Sequence, residues 1–369
     1  MSAVQTPTLL DDTAVREAFA AARASGKRAK EAAESLGIGE GRAVAAHCGE
    51  HSYPPKAVPL AGPWIDLLKA LEPCGPLMGL TRNETTVHEK TGVYRKLSAM
   101  GPNGNMGLAL GEDIDLRLFF GQWHAGFAVT ELAANPQNRP NVSLQFFDAS
   151  GKAVHKIFQR EATDRDAFDA VVKRFTAPVC NAVFGPAAAV PAVLPDAQIN
   201  VAGMGDAWGA MQDTHEFFGL LKKFNVERQQ SLRLMQGRFT QPLAHSALRD
   251  LLHSASFDAV PIMVFVGSAG CIQIHTGPVV RIEPMDIRGV QWLNVIDPSF
   301  NLHLREDSIA HIWLVEKPTA DGVVTSVEAF DQDGALMAMF FGARKPGQPE
   351  LQTWRDLVAQ LPRLEVVAA

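Results

Sequence analysis

No run of 18 consecutive apolar residues occurs in this 369-residue chain, so a membrane-spanning helix is not expected. The opening MSAVQTPTLLDDTAVREAFAAA meets two aspartates after only two leucines and has no basic stretch followed by an apolar one, which is unlike a secretory leader. Cysteine is scarce: Cys48, Cys74, Cys180 and Cys271 are scattered, with no Cys-x-x-Cys pair and no Cys-x-x-Cys-His attachment. Structural zinc, thioredoxin-type exchange and covalent haem therefore lack their spacing, and four reduced thiols fit a cytoplasmic location. Basic charge is not in excess, since 34 Lys and Arg face 40 Asp and Glu for a net charge of −6. Nothing in that balance draws the chain to nucleic acid or to anionic lipid, so neither a nucleic-acid partner nor stable membrane insertion is expected. The Walker loop, G-x-G-x-x-G, G-x-S-x-G and H-E-x-x-H are all missing, which removes the signatures of the common phosphate, dinucleotide, acyl-transfer and zinc-protease chemistries. The 11 histidines are spread along the chain rather than set at chelating intervals.

What is present is an ordinary globular composition, 47% hydrophobic and 20% charged, in a chain long enough for about two domains. The chain also repeats itself. Leu77-Met78-Gly79-Leu80 aligns with Ile262-Met263-Val264-Phe265, and Thr91-Gly92 aligns with Thr276-Gly277 at the same interval. Ile114-Asp115-Leu116-Arg117-Leu118 aligns with Phe300-Asn301-Leu302-His303-Leu304, and Phe147-Asp148 with Gly151 parallels Phe330-Asp331 with Gly334. Near-constant offsets over so long a stretch mark a tandem duplication. Amphipathic segments around Phe168 and Trp354 close the two copies. Between them, Pro186, Pro191 and Pro195 disfavour both helix and central strand. The expected organisation is a first repeat over 1–184, a Pro/Ala-rich linker over 185–199 and a second repeat over 200–369.

Periodicity predicts helices over 12–36 and 62–72 in the first copy and over 213–235 and 243–254 in the second. Strands then follow in succession, among them Asp115–Phe120, Val142–Phe147 and Ile309–Val315. Asp148–Gly151 and Asp331–Gly334 read as hairpin turns, because Asp and Gly accept the backbone angles such turns need. Strands joined without long helices imply an α+β fold in which a large antiparallel sheet is flanked by helices in each repeat.

Among the candidate functional residues, His215 lies in Asp213-Thr214-His215-Glu216-Phe217-Phe218. Asp213 and Glu216 have the spacing of a capping box, which puts His215 in the first helical turn. A neutral imidazole there can ligate a metal carried by a large apolar ligand, with Phe217, Phe218, Leu220 and Leu221 as packing surface; it can equally be a histidine that helps the helix start. Arg228 and Arg233 follow on the same predicted helix, and Lys317 and Arg344 follow apolar strands. Such cations suit carboxylates, though most Arg and Lys are solvated surface charges. Arg117 sits between Leu116 and Leu118 and must face away from them.

Several blocks taken together carry a resemblance: Thr81-Arg82-Asn83-Glu84 with His88-Glu89, Asp115–Phe119, Thr214–Phe218, Phe300–Arg305 and Trp313-Leu314-Val315-Glu316-Lys317-Pro318-Thr319. From about 12 to 361 the chain resembles the bacterial cytoplasmic hemin-transport and haem-degrading family, the HemS/ChuS/PhuS-like proteins. The resemblance implies two stacked antiparallel sheets with helices, and one haem b held in a cleft of the second copy facing the first. It makes His215 the proximal ligand to haem iron and Arg117 the residue reaching the opposite haem face, with a catalytic role there. It places Arg228, Lys317 and Arg344 at the propionates and Phe265 in the apolar wall, with His88 as a second or transient haem site. The pattern departs at Met339 and Phe341, where polar or tyrosyl side chains are expected and neither residue can donate a hydrogen bond.

Three functions follow from this reading. The first is a haem carrier for uptake, trafficking and iron acquisition, served by an importer on the cytoplasmic side and a downstream haem oxygenase. The second is a haem-degrading, oxygenase-type enzyme that releases iron. Without a flavin or nicotinamide motif, it would take electrons from a reductase or small reductant. The third is an interaction scaffold that has lost its ligand.

Overall fold

The computed structural model describes residues 11–132, 139–189, 192–345 and 347–364. The first copy opens with three helices, α1 (Asp12–Ala24), α2 (Ala29–Ser35) and α3 (Glu40–Ala46), followed by β1 (Lys56–Leu60) and α4 (Trp64–Lys69). Then come β2 (Leu77–Arg82), β3 (Thr86–Gly92), β4 (Leu97–Met100), β5 (Met106–Leu110), β6 (Asp115–Phe119), β7 (Ala125–Glu131), β8 (Asn141–Phe147) and β9 (Ala153–Gln159), closed by α5 (Arg165–Phe175). The second copy repeats this order: α6 (Val201–Gly209), α7 (Glu216–Phe224), α8 (Arg228–Leu234), β10 (Thr240–Leu243) and α9 (Ala247–Phe257). It continues through β11 (Ile262–Gly267), β12 (Cys271–Gly277), β13 (Ile282–Ile287), β14 (Val290–Ile296), β15 (Phe300–Arg305), β16 (His311–Thr319), β17 (Gly322–Phe330) and β18 (Leu336–Gly342) to α10 (Gln352–Gln360). The element order thus carries the duplication seen in the residues. Of the interval read as a linker, Val190 and Pro191 lie outside the described residues.

Two compact units result, and each takes a short segment from the other copy. Unit 1 holds 1–81, 91–188 and 268–271, while unit 2 holds 82–90, 189–267 and 272–369. In unit 1, β1, β7, β8, β9 and β2 pair in that order, and β4, β5 and β6 pair separately, all antiparallel. Both sets feed one core: Leu77, Leu144 and Ile157 from the first and Ala109, Leu116 and Leu118 from the second meet Leu67 and Leu68 of α4 and Phe168 of α5. Burying each such side chain contributes roughly 1.5–3 kcal/mol, which makes the alternation of apolar and polar residues the main register signal.

In unit 2, β10, β16, β17, β18, β11 and β12 form one antiparallel run and β3, β15, β14 and β13 another. Val264, Val327, Ala329 and Phe340 pack with Leu293, Leu302 and Leu304, under Leu251 of α9 and Trp354 of α10. The opposite face of the β16–β17 pair, with Trp313, Val315 and Phe330, is covered by Trp208, Phe217, Leu220 and Leu232 of α6 to α8. A run covered on both faces gives its polar residues a buried position on the helical side, and the candidate site forms there.

The helices expected over 12–36 and 213–235 are each divided. Gly26, with φ +88, precedes α2, and Asn225, in the left-handed region at φ 48, ends α7 before Glu227 caps α8. These are C-terminal stop devices at one residue each, too local for a periodicity window to resolve. The 62–72 helix narrows to α4, and the 243–254 helix is displaced to α9. The hairpin turns form as expected: Asp148 Oδ1 accepts from the backbone N–H of Ser150 and Lys152, and Asp331 Oδ1 from those of Asp333 and Ala335. Gly151 and Gly334 adopt φ +82 and +77 there. Among the described residues no helix is long and apolar enough to cross a membrane.

Candidate functional site

His215 stands at the residue before α7 rather than inside its first turn. The capping arrangement is shifted, because Asp213 Oδ1 accepts the backbone N–H of His215 at 2.8 Å while Glu216 reaches back to the N–H of Gln212 at 3.2 Å. The same Asp213 oxygen lies 2.6 Å from His215 Nδ1. An ionised carboxylate only accepts, so Nδ1 carries the proton and donates. In the neutral form this tautomer has its lone pair on Nε2, on a side chain that is 86% exposed. The backbone and ring N–H groups of His215 hold Asp213 below the usual carboxylate range, with Arg344 adding to the effect. A carboxylate that fixes the tautomer and orientation of an imidazole is the arrangement that supports metal ligation.

Two residues on, Phe217 points inward. Its ring packs edge-on to Trp208 at 4.6 Å between centroids, and both Lys317 Nζ, at 4.8 Å, and the Arg228 guanidinium carbon, at 5.1 Å, lie against it. Leu220 and Leu221 are buried beside it, so of the four apolar residues expected to offer packing surface only Phe218 remains exposed. Arg228 begins α8, a separate helix from that of His215. Its Nε and Nη2 donate to the two oxygens of Glu328, each at 2.8 Å, and Nη2 also contacts Met339 Sδ at 3.1 Å. Lys317 Nζ donates to Glu328 Oε1 at 2.8 Å and lies 3.3 Å from Ser326 Oγ.

Glu328 is fully buried with two cations around it. Burial would raise its carboxyl, but Arg228 and Lys317 override that and hold it well below the ordinary range. Burial lowers the Lys317 ammonium; Glu328 opposes this and Arg228 adds to it. One carboxylate for two cations leaves one positive charge in excess, and Arg228 keeps about a quarter of its side chain open to solvent. Arg344 Nη2 donates to Asp321 Oδ2 at 3.0 Å, while its Nε is buried with no hydrogen-bond partner among the described residues. Phe265 sits 5.0 Å from Phe341 and pairs across the strands with Met339. The departures at 339 and 341 are thus absorbed locally: a thioether accepts from Arg228, and a phenyl ring adds apolar wall.

Unit 2 therefore gathers His215, Arg228, Lys317, Arg344 and Phe265. Arg233 is not among them, since both its terminal nitrogens are spent on Asp196 at 2.6 and 2.8 Å. Arg117 belongs to unit 1, on the face of β6 opposite the buried Leu116 and Leu118, where Asp115 and the Leu116 carbonyl hold its guanidinium. His88, expected as a second or transient haem site, lies inside the fold. It is 0% exposed, packs 4.9 Å from the Phe300 ring and falls in unit 2, so β3 must open before it meets a bulky ligand. Sequence reasoning read Asp213 only as a helix cap and passed over Asp321 and Glu328. A polar signal was present for Glu328, because Ser326 and Glu328 alternate with the core residues Val327 and Ala329.

A family model described as the haemin-degrading HemS.ChuX domain matches residues 37–175 and again 225–361. Among curated proteins, the hemin transport protein HmuS of Yersinia pestis is 38% identical over 347 residues, spanning 93% of this chain and 95% of that one. The crystal structure of holo-PhuS, a heme-binding protein from Pseudomonas aeruginosa, superposes with TM-score 0.90 at 44% identity and covers 96% of this chain and 100% of its own. The heme degrading enzyme ChuS of Escherichia coli O157:H7 superposes at 0.84 with 35% identity, covering 95% and 99%.

Proposed function

The chain belongs to the haemin-degrading HemS.ChuX family, and from that premise we propose that unit 2 binds one haem b through His215 for haem uptake and trafficking. The observation that carries this reading is the exposed imidazole whose Nδ1 is committed to Asp213, leaving Nε2 for iron. The residues around it suit the rest of such a ligand. The surplus charge of the Arg228, Lys317 and Glu328 cluster and the unpartnered Nε of Arg344 match propionate carboxylates. Phe265 and Phe341 supply apolar wall. Bound haem contributes an iron whose reactivity is set by its axial ligand and surroundings. For Arg117, in unit 1, the proposal is an electrostatic role, since a guanidinium stabilises negative charge.

Degradation is the second reading, favoured by the description of the matching family and of ChuS. It requires an external electron donor, and a reductase or small reductant would fill that place. Carriage instead needs a donor such as an importer and an acceptor such as a downstream oxygenase.

Hemin titration tests the primary reading. The wild-type chain should give a Soret complex at one haem per chain, His215→Ala should lose it, and Arg117→Ala should alter the spectrum while still binding. His215→Ala titrating like wild type makes the ligand assignment wrong, and a wild-type chain without a complex favours the scaffold reading. Ascorbate, or NADPH with a reductase, in air with catalase then separates the two functions. A Soret band that persists supports carriage; its loss with release of bile pigment supports degradation.

A further inference from the structure

A carboxylate stands inside the very group of side chains that suits a ligand's carboxylates. On the haem-binding reading of unit 2, we propose that Glu328 is a positioning residue that limits the hold of Arg228 on a propionate and so keeps bound haem exchangeable. Val327 and Ala329, its neighbours on β17, enter the core under α9 and α10, which turns Ser326 and Glu328 to the opposite face, where α8 begins. The two oxygens of a carboxylate offer about four lone-pair positions, and those of Glu328 are all taken. Oε2 accepts from Arg228 Nε at 2.8 Å; Oε1 accepts from Arg228 Nη2 at 2.8 Å, Lys317 Nζ at 2.8 Å and Ser326 Oγ at 3.0 Å. The chain itself thus supplies the counter-ion that two largely buried cations need before any ligand arrives.

That counter-ion uses up the donors a propionate would bind best. A guanidinium holds a carboxylate most strongly through two parallel N–H donors on one edge of its plane. Glu328 occupies the Nε–Nη2 edge of Arg228, and Nη2 also donates to Met339 Sδ at 3.1 Å. Of the Nη1–Nη2 edge only Nη1 is left, without a hydrogen bond among the described residues. An incoming carboxylate therefore meets a single nitrogen unless Glu328 or Met339 lets go. Strand register fixes this arrangement, because Met339 of β18 is the cross-strand partner of Glu328, so both acceptors reach Arg228 from adjacent strands. Lys317 is engaged in the same way, with Glu328 Oε1 and Ser326 Oγ at 2.8 and 3.3 Å from its Nζ. The charge of Glu328 also opposes a second carboxylate at the same guanidinium. A two-donor grip thus becomes a single contact, and a single contact is easier to break.

The test loads each full-length chain with hemin and mixes it with excess apomyoglobin, so that the Soret change reports the rate of release. Glu328→Gln keeps the shape of the side chain and removes its charge; it should release hemin at least about tenfold more slowly than wild type, the worth of one charge-assisted hydrogen bond. Damage to the fold would speed release instead. Hemin dimethyl ester, which has no carboxylate, should leave both chains at the same rate. Met339→Leu keeps Glu328 and nearly the same volume, frees the second hydrogen of Nη2 and should also slow hemin release, by less than Glu328→Gln does. Release from Glu328→Gln as fast as from wild type or faster, equal slowing with the ester, or release from Met339→Leu that is not slowed overturns the proposal. A wild-type chain that forms no hemin complex removes the haem reading itself, and the proposal with it.

Discussion

The two copies place a charged cluster at matching points of the same architecture and fill it differently. In unit 1 the first residue of α3 is Glu40, and Lys156 of β9 donates to it at 2.6 Å. In unit 2 the first residue of α8 is Arg228, which meets Glu328 of β17, with Lys317 of β16 joining from the next strand. The helix residue has changed sign, and the cluster has grown from a lysine on a carboxylate to two cations on one. A similar divergence occurs one helix earlier. Arg28, before α2, donates its backbone N–H to Glu31 Oε2 at 3.0 Å, whereas His215, before α7, leaves its ring to Asp213 and solvent. A duplicated scaffold can therefore keep a buried charge site for packing in one copy while, on the function proposed above, its counterpart in the other serves a ligand.

The largest expected effect contrasts the two helix-start residues. Arg28→Ala should leave hemin titration unchanged, while His215→Ala abolishes the stoichiometric complex; equal behaviour would dissolve the functional difference between copies. Next come the charge clusters, read by chemical denaturation. Glu40→Ala takes the carboxylate of its ion pair away from the buried Lys156, and Glu328→Ala takes the shared carboxylate from Lys317 and Arg228; each should cost about 3–5 kcal/mol. Arg228→Ala leaves Glu328 with Lys317 and should cost less than either. A loss in Arg228→Ala equal to that in Glu328→Ala would mean that Lys317 does not share the carboxylate. Asp213→Ala should weaken haem binding roughly 10- to 100-fold by freeing the ring of His215, without measurable loss of stability.

Per unit of pH, the smallest effect is one the copies share. Burial lowers His155 in unit 1 and His275 in unit 2 to about 3. Their folded values lie below the ordinary 6.5, so as pH falls the unfolded chain binds these protons first. Their stabilisation is complete above about pH 6.5 and is lost progressively toward pH 3, at up to about 1.4 kcal/mol per pH unit for each histidine. Urea denaturation across that window, with His155→Gln and His275→Gln each reducing the slope, checks it. A slope unchanged in both variants would assign the acid sensitivity to other groups.

The features legible in the sequence were those written locally or periodically. The repeat, the antiparallel strands, the Asp-x-x-Gly hairpins and the outward side of Arg117 all follow from spacing along the chain. The breaks at Gly26 and Asn225 turn on single left-handed residues inside otherwise helical patterns, and a window of a dozen residues averages them away. The composition of the site was least legible, because Glu328 joins Arg228 from 100 positions away and only folding brings them together. Met339 looked like a loss of hydrogen bonding and instead accepts from Arg228, a role visible only once α8 and β18 are adjacent.

The central claim is that a single imidazole in the second copy holds the haem. It is tested most directly by replacing His215 with glycine and titrating hemin with and without free imidazole. The account predicts loss of the one-to-one Soret complex in His215→Gly and its restoration by imidazole, which fills the vacated ligand position. A His215→Gly chain that binds one hemin with the wild-type spectrum in the absence of imidazole would contradict it.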